Sequence, residues 1–267
     1  MSINSYLIEQ QSNLYVNGVE RDKIKTSIDA ISQRLDWYFG KDKTNEHKIV
    51  KKEIFGSYSR DTMLSRKYDE NSDIDFMVIF EDANEYNPQT CLNWLKDFAE
   101  TYYQSSIVRQ SLPTIVIELQ NIKFELVPAY ELWGMKNVAL TQSEWQYTNP
   151  NELKDKMQDL NVKTDYRFKR MIRSIKYWNV NKNLRKYESY DLENYLTNSF
   201  TYSYSRCKNP IDYIELAFNY LKTKYIDEYV KKRIDKACSN IIEARNLELV
   251  GKYDEAENKI KSIFEWG

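Results

Sequence analysis

The chain has 267 residues, 30% of them charged, and its 39 basic and 40 acidic side chains give a formal net charge of −1. Proteins that grip long nucleic acid usually carry a basic excess, because phosphate neutralisation dominates their affinity; this composition argues against such a partner. The cysteines Cys91, Cys207 and Cys238 are far apart and the single histidine, His47, is expected in a surface loop. The sequence therefore offers no obvious zinc site, disulfide framework or histidine general base.

The sequence contains no signal-peptide pattern and no apolar run of 18 or more residues. We therefore expect a cytoplasmic protein without a membrane partner.

The first elements are helical. Apolar residues recur at helical spacing over residues 4 to 38 and predict a short helix followed by a long one, with Gly18 between them. Residues 49 to 55 then predict a strand that leads directly to Gly56 and Ser57. Glycine has no Cβ, so the backbone at Gly56 could approach a triphosphate closely. Ser57 could then hydrogen-bond the phosphate oxygens. A helix that starts near Tyr58 would contribute its N-terminal backbone amides to the same phosphates.

Two acids begin the next strand. Residues 73 to 80 are rich in β-branched and aromatic side chains, and alternation places Asp73 and Asp75 on one face with Ile74 and Phe76 on the other. Two carboxylates on one strand face suit a pair of Mg²⁺ ions held about 3.5–4 Å apart.

A third acid lies in a second strand. Residues 114 to 119 and 122 to 127 predict a hairpin, with a helix over 91 to 104 before it. Glu125 lies on the face opposite Phe124, and a hairpin beside the Asp strand would bring it to the metals. Taken alone, a Gly-Ser pair is usually a turn, and an isolated Asp-x-Asp or Glu is usually a solvated strand residue. The combination and its order favour catalysis.

The second half of the chain is predicted to be helical. Residues 143 to 151 are polar and are expected to connect two lobes. Residues 1–150 would then form the N-terminal helices and an α/β catalytic lobe, and residues 151–267 a helical lobe that serves as a nucleotide clamp. Helices are predicted over 151–160, 165–180, 189–201, 210–224, 227–248 and 252–264.

Two features of this lobe suggest binding residues. Lys169, Arg173 and Lys176 recur on one side of the helix over 165–180 and could meet a triphosphate tail, or could form a solvated face. Ser189 and Tyr190 lie at a helix start, where Ser189 could instead be an N-cap and Tyr190 a core residue.

The motifs together resemble a known family. The chain resembles the bacterial cyclic-oligonucleotide synthases of anti-phage signalling, which are relatives of cyclic GMP-AMP synthase and oligoadenylate synthase in the polymerase-β-like nucleotidyltransferase superfamily. The resemblance rests on five sequence segments: Gly56-Ser57-Tyr58-x-Arg60-x-Thr62, residues 69–75, residues 124–129, the end of a predicted helix over 175–179, and Ser189-Tyr190-x-Leu192-Glu193.

The resemblance implies an α+β fold in which a nucleotidyltransferase lobe with a small mixed sheet packs on a C-terminal helical lobe. It implies Mg²⁺ ligation, with Mn²⁺ as a substitute, by the three acids, and donor-phosphate contacts from Ser57. It implies contacts to the triphosphate tail from Lys176 and Ser189, and stacking of Tyr190 on a base. Gly56 and Arg60 are assigned to substrate binding with Ser57. One departure is the glutamate at 125, where many superfamily members have aspartate.

The implied activity is condensation of nucleoside triphosphates into a cyclic di- or trinucleotide that a separate effector protein reads. We expect a monomer that requires no long nucleic acid. The rivals are a nucleotidyltransferase that modifies an RNA, protein or small-molecule acceptor, a nucleotide-binding module without catalysis, and a helical interaction protein.

Overall fold

The computed structural model describes residues 1–40, 47–224 and 227–265. Its fold is α+β, as predicted, and the chain divides into two compact units. The sheet unit comprises Asn17–Arg60 and Asn71–Glu152, and the helical unit comprises Met1–Val16, Asp61–Glu70 and Leu153–Gly267. The sequence placed the N-terminal helix and residues 61–70 with the catalytic lobe, whereas the structure places both in the helical unit. Ile3 and Leu7 in the N-terminal helix and Leu64 in residues 61–70 explain the difference, because all three are buried in the core of that unit.

The described helices begin close to their predicted starts. They are α1 (Ile3–Asn13), α2 (Gly18–Phe39), α3 (Gly56–Ser59), α4 (Pro88–Tyr102), α5 (Pro150–Lys163), α6 (Phe168–Asn181), α7 (Ser189–Phe200), α8 (Pro210–Thr223), α9 (Glu228–Leu249) and α10 (Tyr253–Phe264). None of these helices is both long enough and apolar enough to cross a bilayer.

The strands form one mixed sheet. They are β1 (Ile49–Phe55), β2 (Asp73–Phe80), β3 (Ile107–Ser111), β4 (Thr114–Glu118), β5 (Lys123–Leu132), β6 (Met135–Ala139) and β7 (Trp145–Thr148). Their order is β1-β2-β5-β4-β3. In addition, β6 pairs with the C-terminal part of β5, and β7 pairs with β6. β2 and β5 run parallel, and β4 and β5 form the predicted antiparallel hairpin.

Residues 143 to 151, predicted as a connector between lobes, lie directly before the boundary of the two units at Glu152 and Leu153, but they have regular structure. The stretch contains β7 and the first residues of α5. β7 pairs with β6, beyond the end of the main strand order. A strand at such an edge can keep polar side chains because little of it is covered, so it lacks the apolar pattern that marks a strand in the sequence.

Aromatic side chains hold the helices of the sheet unit on the sheet. The ring of Phe39 at the end of α2 lies 5.1 Å from that of Phe80 on β2 and 6.2 Å from that of Phe98 on α4. His47 lies outside regular secondary structure, as predicted, but its side chain is half-buried, since its ring stacks 3.6 Å from that of Trp94 and its Nδ1 lies 2.8 Å from Asp82 Oδ2.

The core of the helical unit surrounds α6. The apolar stripe predicted for this helix is confirmed, since Phe168, Met171, Ile172 and Ile175 are all fully buried. Trp178 continues the stripe, and its ring lies 5.1 Å from that of Phe218 on α8. Because one side of α6 is fixed so completely, the directions of its other side chains are fixed as well.

Candidate active site

The three predicted acids lie on two neighbouring strands of the sheet unit. In the parallel register of β2 and β5, Asp75 is opposite Glu125 and Asp73 is opposite Lys123. Ile74 and Phe124 are buried on the other face, as the alternation predicted. Residues in register on adjacent strands share a face, so the three carboxylates occupy adjacent positions on one side of the sheet.

A lysine lies among these acids. Lys123 Nζ is 3.0 Å from Asp73 Oδ2 and 2.9 Å from Glu125 Oε1. The alternation that linked Asp73 to Asp75 also places Lys123 on the face of Glu125, so this residue could have been found from the sequence. Its ammonium offsets one of three negative charges on the face.

The pKa values reflect this crowding. Burial raises the pKa of Asp73, and the charge of Glu125 raises it further, while Lys123 opposes both effects. Burial alone would lower the pKa of Lys123, but the Glu125 and Asp73 carboxylates raise it above its ordinary value. The face therefore concentrates negative charge and favours a cation.

Gly56 is required by the geometry of the acids. The residue before it, Phe55, pairs with Asp75 across β1 and β2, and Gly56 then turns into the four-residue helix α3 with φ of +67°. A Cβ on Gly56 would lie 1.6 Å from Asp75 Oδ2. Glycine thus allows both the left-handed backbone and the close approach of the Asp75 carboxylate. Ser57 follows and is half-buried, and Arg60 is 5% exposed.

The helical unit holds the other predicted binding residues. Lys176 on α6 pairs through Nζ with Glu193 Oε1 on α7 at 2.8 Å, and Thr62 Oγ1 donates to the same oxygen at 2.9 Å. Glu193 is fully buried. Sequence reasoning assigned it no role, yet it links the helix that carries Lys176 to the helix that begins at Ser189.

The structure excludes three of the alternative interpretations. Lys169, Arg173 and Lys176 are buried, at 6%, 7% and 6% exposure, so their row is not a solvated face. Ser189 is the first residue of α7 and not its N-cap, which is Glu188. Tyr190 is 56% exposed and is not a core residue.

A mixed sheet that carries three acids on one face, with Gly56 and Ser57 directly after β1, is typical of nucleotidyltransferases. Comparisons with known proteins identify the family of this chain. Residues 1–161 match the family model of the Second Messenger Oligonucleotide or Dinucleotide Synthetase domain. The chain belongs to this family and is an enzyme of the cyclic nucleotide synthase class.

Individual relatives agree with this assignment. A probable cyclic nucleotide synthase of Bacillus cereus strain VD146 is 27% identical over 83% of this chain and 80% of its own length. The structure of Escherichia coli MS115-1 CdnC with ATP superposes with a TM-score of 0.75 at 13% identity, covering 99% of this chain and 98% of that one. The structure of Vibrio cholerae DncV with a linear pppA(3′,5′)pG intermediate has a TM-score of 0.72 at 11% identity. The match covers 95% of this chain and 92% of that one. Both solved structures share the fold.

Replacement of Gly56 by alanine should abolish activity, because the new Cβ must displace the Asp75 carboxylate. Gly134→Ala is a matched control, since Gly134 also has positive φ, +77°, but a Cβ at this position would meet nothing within 4 Å. Both variants should lose roughly 1 kcal/mol or more of stability from backbone strain. Pyrophosphate release should disappear only in Gly56→Ala; equal activity of the two variants would contradict the assigned contact.

Lys176→Met should lower the free energy of unfolding by about 3–5 kcal/mol, because it removes one partner of a buried ion pair. Lys176→Met combined with Glu193→Gln should regain most of that loss, since Gln still accepts the Thr62 hydroxyl hydrogen. Urea denaturation of the two single variants and the double variant measures the coupling. Additive losses would show that the pair is not formed in solution.

Proposed function

We propose that this enzyme condenses ribonucleoside triphosphates into a cyclic di- or trinucleotide with release of pyrophosphate, and that the product is a signal in anti-phage defence. One observation supports the proposed synthesis most. The strand face that carries Asp73, Asp75 and Glu125 lies beside Gly56, in a chain that belongs to a second-messenger synthetase family. The relative crystallised with a linear dinucleotide intermediate supports ring closure as the second step.

The acidic face fits Mg²⁺ by the chemistry of its donors. All three side chains offer the hard carboxylate oxygens that Mg²⁺ prefers, and the surrounding charge favours a cation. Within the described parts of the chain, no three His, Cys, Asp or Glu side chains already surround one point. Substrate phosphates usually complete the Mg²⁺ coordination at sites of phosphoryl transfer.

In the proposed reaction a ribose hydroxyl oxygen attacks the α-phosphorus of a second triphosphate. The new P–O bond forms as the bond to pyrophosphate breaks, and Glu125 or Asp75 accepts the hydroxyl proton. Bound Mg²⁺ would lower the pKa of the attacking hydroxyl and neutralise the departing phosphates. The linear product is then repositioned, and the same displacement closes the ring.

The remaining predicted residues would position the triphosphates. Ser57, with Gly56 in α3 and Arg60 directly after this helix, would hold donor phosphates, and Ser189 would contact the phosphate tail. The Lys176 ammonium would also contact the phosphate tail, since it has three N–H donors and only one of them is donated to Glu193. The exposed ring of Tyr190 would stack on a base. Much of the catalysis then comes from positioning and charge neutralisation.

We propose further that turnover needs no long nucleic acid, because the net charge of −1 offers no general basic excess. The enzyme would act in the cytoplasm as a monomer, and a separate effector protein would read its product.

Incubation of the purified chain with four ribonucleoside triphosphates and Mg²⁺, without an acceptor, should yield phosphatase-resistant cyclic products in a mass spectrum. Asp73→Ala combined with Asp75→Ala should lower pyrophosphate release by at least about a hundredfold. Glu131→Ala is the control, because Glu131 is an exposed acid on the same strand as Glu125.

Two outcomes would contradict the proposal. Product that appears only when an RNA, protein or small-molecule acceptor is added would indicate a modifying nucleotidyltransferase. Near-normal synthesis by the folded double variant, with circular dichroism confirming the fold, would remove the acids from the reaction.

A further inference from the structure

A cavity of about 460 Å³ lies within the helical unit. Its volume is in the range of about 300–1,000 Å³ that is usual for small-molecule sites. The lining includes two aromatic rings, three cationic side chains and one carboxylate, from Tyr15, Asp61, Tyr166, Lys169, Arg170 and Arg173. Lys169 and Arg173, which the sequence suggested for a triphosphate tail, line the cavity, whereas Lys176, Ser189 and Tyr190, the contacts proposed above for this unit, do not.

The cavity has an excess of positive charge. Lys169 Nζ lies 3.5 Å from the Asp61 carboxylate and donates to Gln158 Oε1 at 2.7 Å, and Arg173 Nη1 donates to the Asp61 carbonyl at 2.7 Å. Among the residues that line the cavity there are thus three cationic side chains and one carboxylate. No carboxylate in the described parts of the chain lies within ion-pair distance of the Arg170 guanidinium, which is half-buried.

This arrangement carries an electrostatic cost. Burial lowers the pKa of Lys169, and the positive charges of Arg173 and Lys154 lower it further, against the opposing effect of Asp61. Gathering like charges at buried positions is unfavourable unless an opposite charge compensates them. The excess therefore favours an anion in the cavity.

The walls are suited to an organic group as well as an anion. The guanidinium carbon of Arg173 lies 4.8 Å from the centroid of the Tyr15 ring, and Tyr166 presents a ring that is 59% exposed. Asp61 and Tyr166 both have left-handed backbone, with φ of +57° and +62°. Such conformations are costly for residues other than glycine and concentrate at ligand sites.

We propose that this cavity binds a phosphorylated small molecule. Arg170 and Lys169 bind the phosphate through charge-assisted hydrogen bonds, and the exposed Tyr166 ring covers the organic part. The inference concerns binding alone and does not depend on the proposed synthesis of a cyclic product.

The test is isothermal titration calorimetry of the full chain in EDTA, with inorganic pyrophosphate and adenosine 5′-monophosphate as probes. Arg170→Gln should weaken binding of both probes on the order of tenfold, because one charge-assisted contact is lost. Lys163→Gln, which removes an exposed cation outside the cavity, should leave both affinities unchanged. Tyr166→Ser should weaken binding of the monophosphate and spare pyrophosphate.

Equal affinities of Arg170→Gln and the unmodified chain for both probes, or no binding of either probe, would overturn the proposal. A 20-base-pair RNA duplex serves as a further probe. If Arg170→Gln weakened binding of the duplex alone, the cations would belong to a nucleic-acid surface and the small-molecule site would be refuted. Circular dichroism checks that each variant is folded.

Discussion

The parallel pairing of β2 with β5 is the constraint on which the site depends. It sets Asp75 beside Glu125 and Asp73 beside Lys123, and the buried face of the same strands holds the register through Ile74 and Phe124. A shift of one residue would exchange the two faces and bury the acids. The apolar core of the sheet unit therefore stabilises the arrangement of its charges.

The helical unit depends on a different interaction, the buried ion pair of Lys176 and Glu193. It joins α6 to α7 and orders a cation close to the start of α7, where Ser189 and Tyr190 are exposed. Replacing both partners of such a pair by apolar residues is often neutral for stability, whereas removing one partner is strongly destabilising. Glu193 thereby fixes the position of the Lys176 ammonium.

Sequence reasoning succeeded where the signal was local. Alternation of polar and apolar residues placed Asp73, Asp75 and Glu125 on strand faces, and helical spacing found the buried stripe of α6. It failed where long-range packing decides. The stacking of His47 on Trp94 and the burial of Glu193 depend on neighbours distant in the chain, and edge strand β7 has no apolar pattern.

The central claim is that the Asp75 and Glu125 face holds divalent cations against a bound triphosphate. The most direct measurement is a crystal structure of the chain with Mn²⁺ and a non-hydrolysable ATP analogue, using manganese anomalous scattering. The account predicts manganese peaks in direct coordination contact with the carboxylates of this face. A bound triphosphate with manganese away from all three acids would contradict it.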